Sequence, residues 1–472
     1  MNKKYFFFFA IIFSLLISIE SCSSCNKRHR RDDKDSVFAK GKVIEQVNCK
    51  KDITQSYSLY LPSYYSEDKK WPVVYSFDAH GKGSLPVELF KDMAEKYGYI
   101  IVGSNNSKNG TPLATTSVIY DTLYSDTHRR FSIDDTRIYT AGFSGGSRVA
   151  SYIAIEKGKI VAVIGCSAGF GSQAKPAQKF DYFGIAGRED MNLNEMILLD
   201  SALEKAGYTH YLETFDGKHE WPPKEIVADA FLWIELKAMN DKIKTTEDTL
   251  VQGQSGRWKA KYKSLTDDKK YYDAYLLCNK VISYLDGLTD ISFFKTEKST
   301  LEKNAVVIQK RKHLDEIASK ESEQQSYYLK ALSTQNLGWW QTQVGQINQK
   351  IKSTSDDEEK YMYKRVLNYL SLAVYMNINS MMKSGQFDQA ETFNTIYALV
   401  DPENPEHAYI SATLSMKKGK TTDAITFLEK AAELGFTEAS RLESDTVMTP
   451  LKQQEKYSKI LETIKENANK KK

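Results

Sequence analysis

A serine between glycines, Gly142-Phe143-Ser144-Gly145-Gly146, follows the expected strand 137–141 and precedes a stretch with Val149, Ile153 and Ala154 at helical spacing. Glycine and serine are common in turns, so the pentapeptide is weak alone; between a strand and a helix it becomes specific. The serine would sit on a strained turn, and the flanking glycines remove side chains that would clash there. Gly145 would offer its backbone N–H to an oxyanion, with the positive end of the following helix behind it. The chemistry so described is nucleophilic attack by Ser144 on an acyl carbon.

A serine hydroxyl is a poor nucleophile until a base takes its proton. The chain has seven histidines. His29 falls in a linker, His313 and His407 in a helical half, and His128 in a loop with Arg129 and Arg130. His210 opens a strand, and His80 lies in an early loop where it is read as shaping the turn. His219, in Phe215-Asp216-Gly217-Lys218-His219-Glu220-Trp221-Pro222-Pro223, follows the last expected strand and precedes the last helix of its region. Such a loop crosses the carboxyl edge of a sheet, where ligands bind. A third group must fix the imidazole tautomer and stabilise its charged form. The chain order serine, acid, histidine restricts it to 145–218. Within Ala186-Gly187-Arg188-Glu189-Asp190-Met191-Asn192, Asp190 is the choice and Glu189 the rival; Asp216 is too close in sequence to His219. A second oxyanion N–H is expected from the loop Asp78-Ala79-His80-Gly81-Lys82-Gly83, where Gly81 and Gly83 let the backbone turn its amides. No metal-ligand spacing, phosphate loop or dinucleotide fingerprint is present, so no cofactor is expected.

These residues need a scaffold. Short runs rich in Val, Ile, Tyr and Phe predict strands at 56–61, 72–77, 99–104, 137–141, 160–166, 180–185 and 210–215. Helical patterns at 87–97, 147–156, 195–206 and 225–237 lie between them. The alternation predicts an α/β domain over 38–240 with a mostly parallel sheet. Beyond a junction at 241–257, marked by Gly253 and Gly256, strand-like runs disappear and 258–472 reads as all-helical. There Lys383-Ser384-Gly385-Gln386-Phe387-Asp388-Gln389-Ala390 is echoed 34 positions later by Lys417-Lys418-Gly419-Lys420-Thr421-Thr422-Asp423-Ala424. That period, with a turn glycine and a small residue in each second helix, resembles tetratricopeptide repeats, clearest over 367–436.

The chain has 472 residues, 41% hydrophobic and 27% charged, with a net charge of +4. That balance describes globular domains and implies no nucleic-acid partner. Lys3 and Lys4 precede an apolar stretch at 5–19, shorter than the roughly 20 residues of a spanning helix. It reads as an export signal over 1–21, followed by a polar linker at 22–37. Cys22 stands where a bacterial lipoprotein signal places its lipidated cysteine, with Cys25 as second candidate. The expected location is the periplasm or the outer-membrane or cell surface of a bacterium, or the medium where no lipid is attached. The five cysteines are too scattered for a disulfide framework.

Tyr57-Ser58-Leu59-Tyr60-Leu61-Pro62, the 78–81 turn, the 137–146 segment and Gly217-Lys218-His219-Glu220-Trp221-Pro222-Pro223 resemble the polyhydroxybutyrate depolymerase and feruloyl esterase branch of the α/β-hydrolases. The likeness covers about 56–236. It implies an α/β-hydrolase fold, a triad of Ser144, Asp190 and His219, an oxyanion site around Ala79, His80 and Gly81 with Gly145, and an ester substrate. Lys218 departs from the pattern, which usually has a small residue there. The connection 170–179 is too short for an inserted lid, which predicts an open site for bulky or polysaccharide-linked acyl esters. The repeats would bind a protein partner or position the substrate. Two other readings remain: an exported binding scaffold with an inactive hydrolase domain, and a serine peptidase of the same fold.

Overall fold

Strands buried on both faces read as near-continuous apolar runs, and β3 (Trp71–Phe77) is the example: each of its seven residues is buried. The computed structural model describes residues 38–171 and 178–470. The expected leader, Cys22, Cys25, the 22–37 linker and the middle of the 170–179 connection lie outside the described residues. The strands are β1 (Val43–Asn48), β2 (Ser56–Tyr60), β3 (Trp71–Phe77), β4 (Ile100–Ser104), β5 (Ile133–Phe143), β6 (Ala162–Cys166), β7 (Asp181–Gly187) and β8 (His210–Phe215). They form one sheet in the order β1-β2-β4-β3-β5-β6-β7-β8. β1 and β2 pair antiparallel at one edge, β2 runs antiparallel to β4, and the strands from β4 to β8 are parallel. With helices as crossovers, this is the α/β-hydrolase fold.

The crossovers are α1 (Ser84–Tyr97), α2 (Leu113–Arg130), α3 (Gly145–Lys157), α4 (Leu193–Lys205) and α5 (Lys224–Asn240). Two elements differ from expectation. β1 is an edge strand, Val-Ile-Glu-Gln-Val-Asn, mostly solvated and interrupted by a bulge, so it carries no clean apolar alternation. α2 is rich in Thr, Ser and Tyr, which are weak helix formers; His128 therefore lies in a helix and not in a loop. Packing stabilises α2 through buried Ile119, Tyr120 and Leu123, and through buried Asp126, which accepts from Tyr57 Oη at 3.0 Å and Arg130 Nε at 2.7 Å.

The second half is helical: α6 (Asp248–Asp267), α7 (Tyr271–Leu285), α8 (Ser292–Leu301), α9 (Ala305–Ala331), α10 (Leu337–Ser353), α11 (Asp357–Lys383), α12 (Phe387–Val400), α13 (Pro405–Lys417), α14 (Thr421–Glu433), α15 (Ala439–Ser444) and α16 (Glu455–Lys470). The expected 241–257 junction runs into α6. Gly253 and Gly256 lie inside α6 with open space around them, where a glycine weakens a helix without ending it. Apolar packing runs on past 258. The cluster that holds Phe183 and Trp233 continues through Cys278, Tyr284 and Phe294 to Val307. Lys280 of α7 ties it by donating to Glu213 Oε2 on β8 at 2.7 Å and to Asp229 Oδ2 on α5 at 2.6 Å. Lys40–Lys472 forms one compact unit. Further along, α11 packs on α12 and α13 on α14. Gly385 and Gly419 both take φ +73° in the turns before α12 and α14. Ala390 and Ala424, 34 positions apart, are both fully buried.

Candidate active site

β5 ends at Phe143, α3 begins at Gly145, and Ser144 between them takes φ 55° and ψ −121°. A non-glycine residue in such a conformation stores about 1–3 kcal/mol of strain. The surroundings hold it there: Ser144 N–H donates to Cys166 O at 2.8 Å, and Ser144 O accepts from Ser147 N–H at 3.0 Å and Arg148 N–H at 3.2 Å. The glycines are required by distance. A Cβ on Gly146 would lie 2.0 Å from Phe77 O, and one on Gly142 would lie 2.1 Å from Gly146 O. Gly146→Ala is therefore expected to destabilise the fold by about 3 kcal/mol, read as a lowered urea midpoint; an unchanged midpoint would contradict the packing described.

His219 comes from the loop between β8 and α5. Its Nε2 lies 2.9 Å from Ser144 Oγ, and its Nδ1 lies 2.9 Å from Asp190 Oδ1. A carboxylate only accepts, so Nδ1 carries the proton and the Nε2 lone pair faces the hydroxyl. The imidazole packs against Phe143, ring centroids 4.8 Å apart, with its side chain 22% exposed. Asp190 is fully buried, and its Oδ1 also accepts from Asn192 N–H at 2.8 Å. Its Oδ2 has no hydrogen-bond partner among the described residues. The rival acid Glu189 turns away from the imidazole and accepts from Lys364 Nζ at 2.5 Å.

The loop after β3 corrects one expectation. His80 N–H donates to Asp78 Oδ1 at 2.8 Å, and Gly81 N–H donates to Asp78 O at 3.1 Å. Both amides are taken by the turn itself, so neither serves an oxyanion. The N–H groups of Ala79 and Gly145 have no hydrogen-bond partner among the described residues. The His80 side chain is 68% exposed and lies 3.9 Å from Asp78, away from any role as base.

Sequence reasoning missed Asp78, Asn109 and Trp221. Asp78 is buried and organises the turn, its Oδ1 accepting a second bond from Lys82 N–H at 3.2 Å. Its Oδ2 accepts from the Trp221 indole at 3.1 Å, tying this loop to the one that carries His219. An aspartate three residues before a turn glycine is an Asx-turn signal that could have found it. Asn109 lies over the nucleophile turn: a Cβ on Gly145 would be 1.8 Å from its Oδ1. Among the described residues no group of three or more His, Cys, Asp or Glu side chains is placed to hold a metal ion. Cys49, Cys166 and Cys278 are buried free thiols.

No protein-family model and no curated protein matches the chain. Among solved structures it is similar to an S-formylglutathione hydrolase from Staphylococcus aureus, at 15% identity over 42% of this chain and 99% of that one, TM-score 0.35. A feruloyl esterase module from Clostridium thermocellum, complexed with sinapinate, matches at 15% identity over 40% of this chain and 86% of that one, TM-score 0.35. An acylaminoacyl peptidase from Pyrococcus horikoshii matches at 17% identity over 41% of this chain and 40% of that one, TM-score 0.32.

Proposed function

We propose that the chain is a serine carboxylic ester hydrolase acting through an acyl-enzyme. The observation that carries this reading is the relay from Ser144 Oγ to His219 Nε2 and from His219 Nδ1 to Asp190 Oδ1, built on a serine in a strained turn. Ser144 Oγ attacks the ester carbonyl while its proton passes to Nε2, and the carbonyl electron pair becomes an oxyanion facing the Ala79 and Gly145 amides. Collapse of that intermediate breaks the bond to the leaving alkoxide, which takes the proton from Nε2. Water, deprotonated by His219, then attacks the acyl-enzyme, releasing the acid and restoring Ser144.

Bulky or polysaccharide-linked acyl esters are the substrate class we favour. The short 170–179 connection supports it, as does the partial exposure of Ser144 and His219. We read the 34-residue hairpins as tetratricopeptide-like and suited to a protein partner, and the N-terminal segment as an export signal with Cys22 as its lipidated residue. The test of function is a rate panel of acetyl, butyryl and feruloyl esters beside chromogenic peptide amides. Ester turnover well above amide turnover is expected; the reverse order would favour a peptidase, and no turnover of either would favour a scaffold.

Asp78 acts on this chemistry by shaping the turn that presents Ala79. Asp78→Ala is expected to lower kcat on the order of 10²-fold, the scale for loss of one oxyanion donor, with KM little changed. An unchanged kcat would remove Asp78 from the account.

A further inference from the structure

The two residues before Asp190 are held from two sides. Their amides donate to the end of β8 and to the loop that carries the histidine, Arg188 N–H to Phe215 O at 2.8 Å and Glu189 N–H to Gly217 O at 2.9 Å. Their carbonyls accept from helix α11: Arg188 O from Arg365 Nη1 at 2.7 Å and Glu189 O from Asn368 Nδ2 at 2.9 Å. Side chains repeat the pattern. Arg188 Nη2 donates to Glu358 at 2.6 Å, its guanidinium lies 4.6 Å from the Tyr361 ring centroid, and Glu189 pairs with Lys364.

Arg365 is the centre of this contact. Its side chain is 4% exposed and pairs with Glu321 of α9, which is 0% exposed. The Nε donates to Oε2 at 2.9 Å and Nη2 donates to Oε2 at 2.6 Å. A buried pair of this kind contributes little net stability over an apolar pair of similar size. What it does provide is direction, since the planar fork fixed by Glu321 aims the remaining Nη1 at a carbonyl two residues from the acid. The Asp190 carboxylate itself has the Asn192 N–H as its backbone partner, so the loop path decides where it meets His219.

We infer that α11 is a positioning element of the esterase centre: Arg365 and Asn368 hold the 188–189 backbone so that Asp190 stays in register with His219. The helical half then governs turnover without touching substrate. This inference rests on the ester-hydrolase reading of the same site.

The test uses the full chain and two variants. Glu321→Leu/Arg365→Met removes the pair without stranding a buried charge, and Asn368→Ala removes the second donor with little disturbance of the core. The readouts are the rate of fluorophosphonate labelling, kcat and KM for an ester, thermal melting, and the far-downfield proton resonance of the His219 Nδ1–H···Asp190 bond. Labelling rate and kcat are expected to fall about ten- to hundred-fold, with KM steady, the resonance lost or broadened, and melting still above assay temperature. If the double variant unfolds, Asn368→Ala decides alone. Folded variants that label at the wild-type rate with the resonance intact would overturn the inference. A wild type that takes no label would overturn the hydrolase reading, and the resonance comparison, which needs no turnover, would still decide this one.

Discussion

Ser144→Ala is expected to lower kcat/KM by at least about 10⁴-fold while leaving the circular dichroism spectrum unchanged. The loss is this large because the proposed mechanism uses Ser144 and His219 as a unit: without the hydroxyl, the base would have nothing to activate except water, and no acyl-enzyme would form. Ser144→Gly separates chemistry from strain. A glycine takes φ 55° without the steric cost that serine carries there. The glycine variant should therefore be equally inactive, yet more stable than Ser144→Ala by about 1 kcal/mol. That ordering is checked by urea unfolding of both variants. A glycine variant less stable than the alanine one would mean that the turn is not strained, and turnover retained in either would remove Ser144 as nucleophile.

Asp190→Asn is expected to lower kcat by about 10⁴-fold with KM and fold retained. The carboxylate is fully buried, with one oxygen shared by His219 and the Asn192 amide and the other without a partner among the described residues. A charge so placed gains most when the imidazole beside it becomes cationic, which happens as Ser144 gives up its proton. Asparagine removes that gain. Its amide N–H₂ also favours an imidazole with a bare Nδ1, which moves the proton to Nε2 and blocks proton acceptance from Ser144. Steady-state kinetics on one ester decide the matter. A kcat within about tenfold of wild type would mean that His219 is oriented by something else.

How much of this was legible in the sequence depended on how local each signal was. The central strands β3, β4 and β6 stood out because burial at every residue makes them near-continuous apolar runs. β1, solvated and bulged, and α2, made of weak helix formers and stabilised by distant partners such as Tyr57, did not. Ser144 was legible because its turn is made by residues adjacent in the chain. His219 was reached by placing each histidine on an expected element. Asp190 and Glu189, one residue apart, could not be separated by pattern, because only the backbone path decides which faces the imidazole and which faces Lys364. The expected oxyanion amides could not be told apart for a similar reason: the turn at Asp78 takes up those of His80 and Gly81 and leaves that of Ala79. The hold of α11 on the acid loop was invisible, since Arg365 and Arg188 are 177 positions apart and an arginine in a helix carries no specific signal.

Whether the hydroxyl of residue 144 is the activated nucleophile is decided by intact-mass analysis after treatment with a fluorophosphonate. One adduct per chain is expected on Ser144 in the wild type, absent in Ser144→Ala and formed far more slowly in His219→Ala. An unmodified wild type, or an adduct that persists in Ser144→Ala, would contradict it.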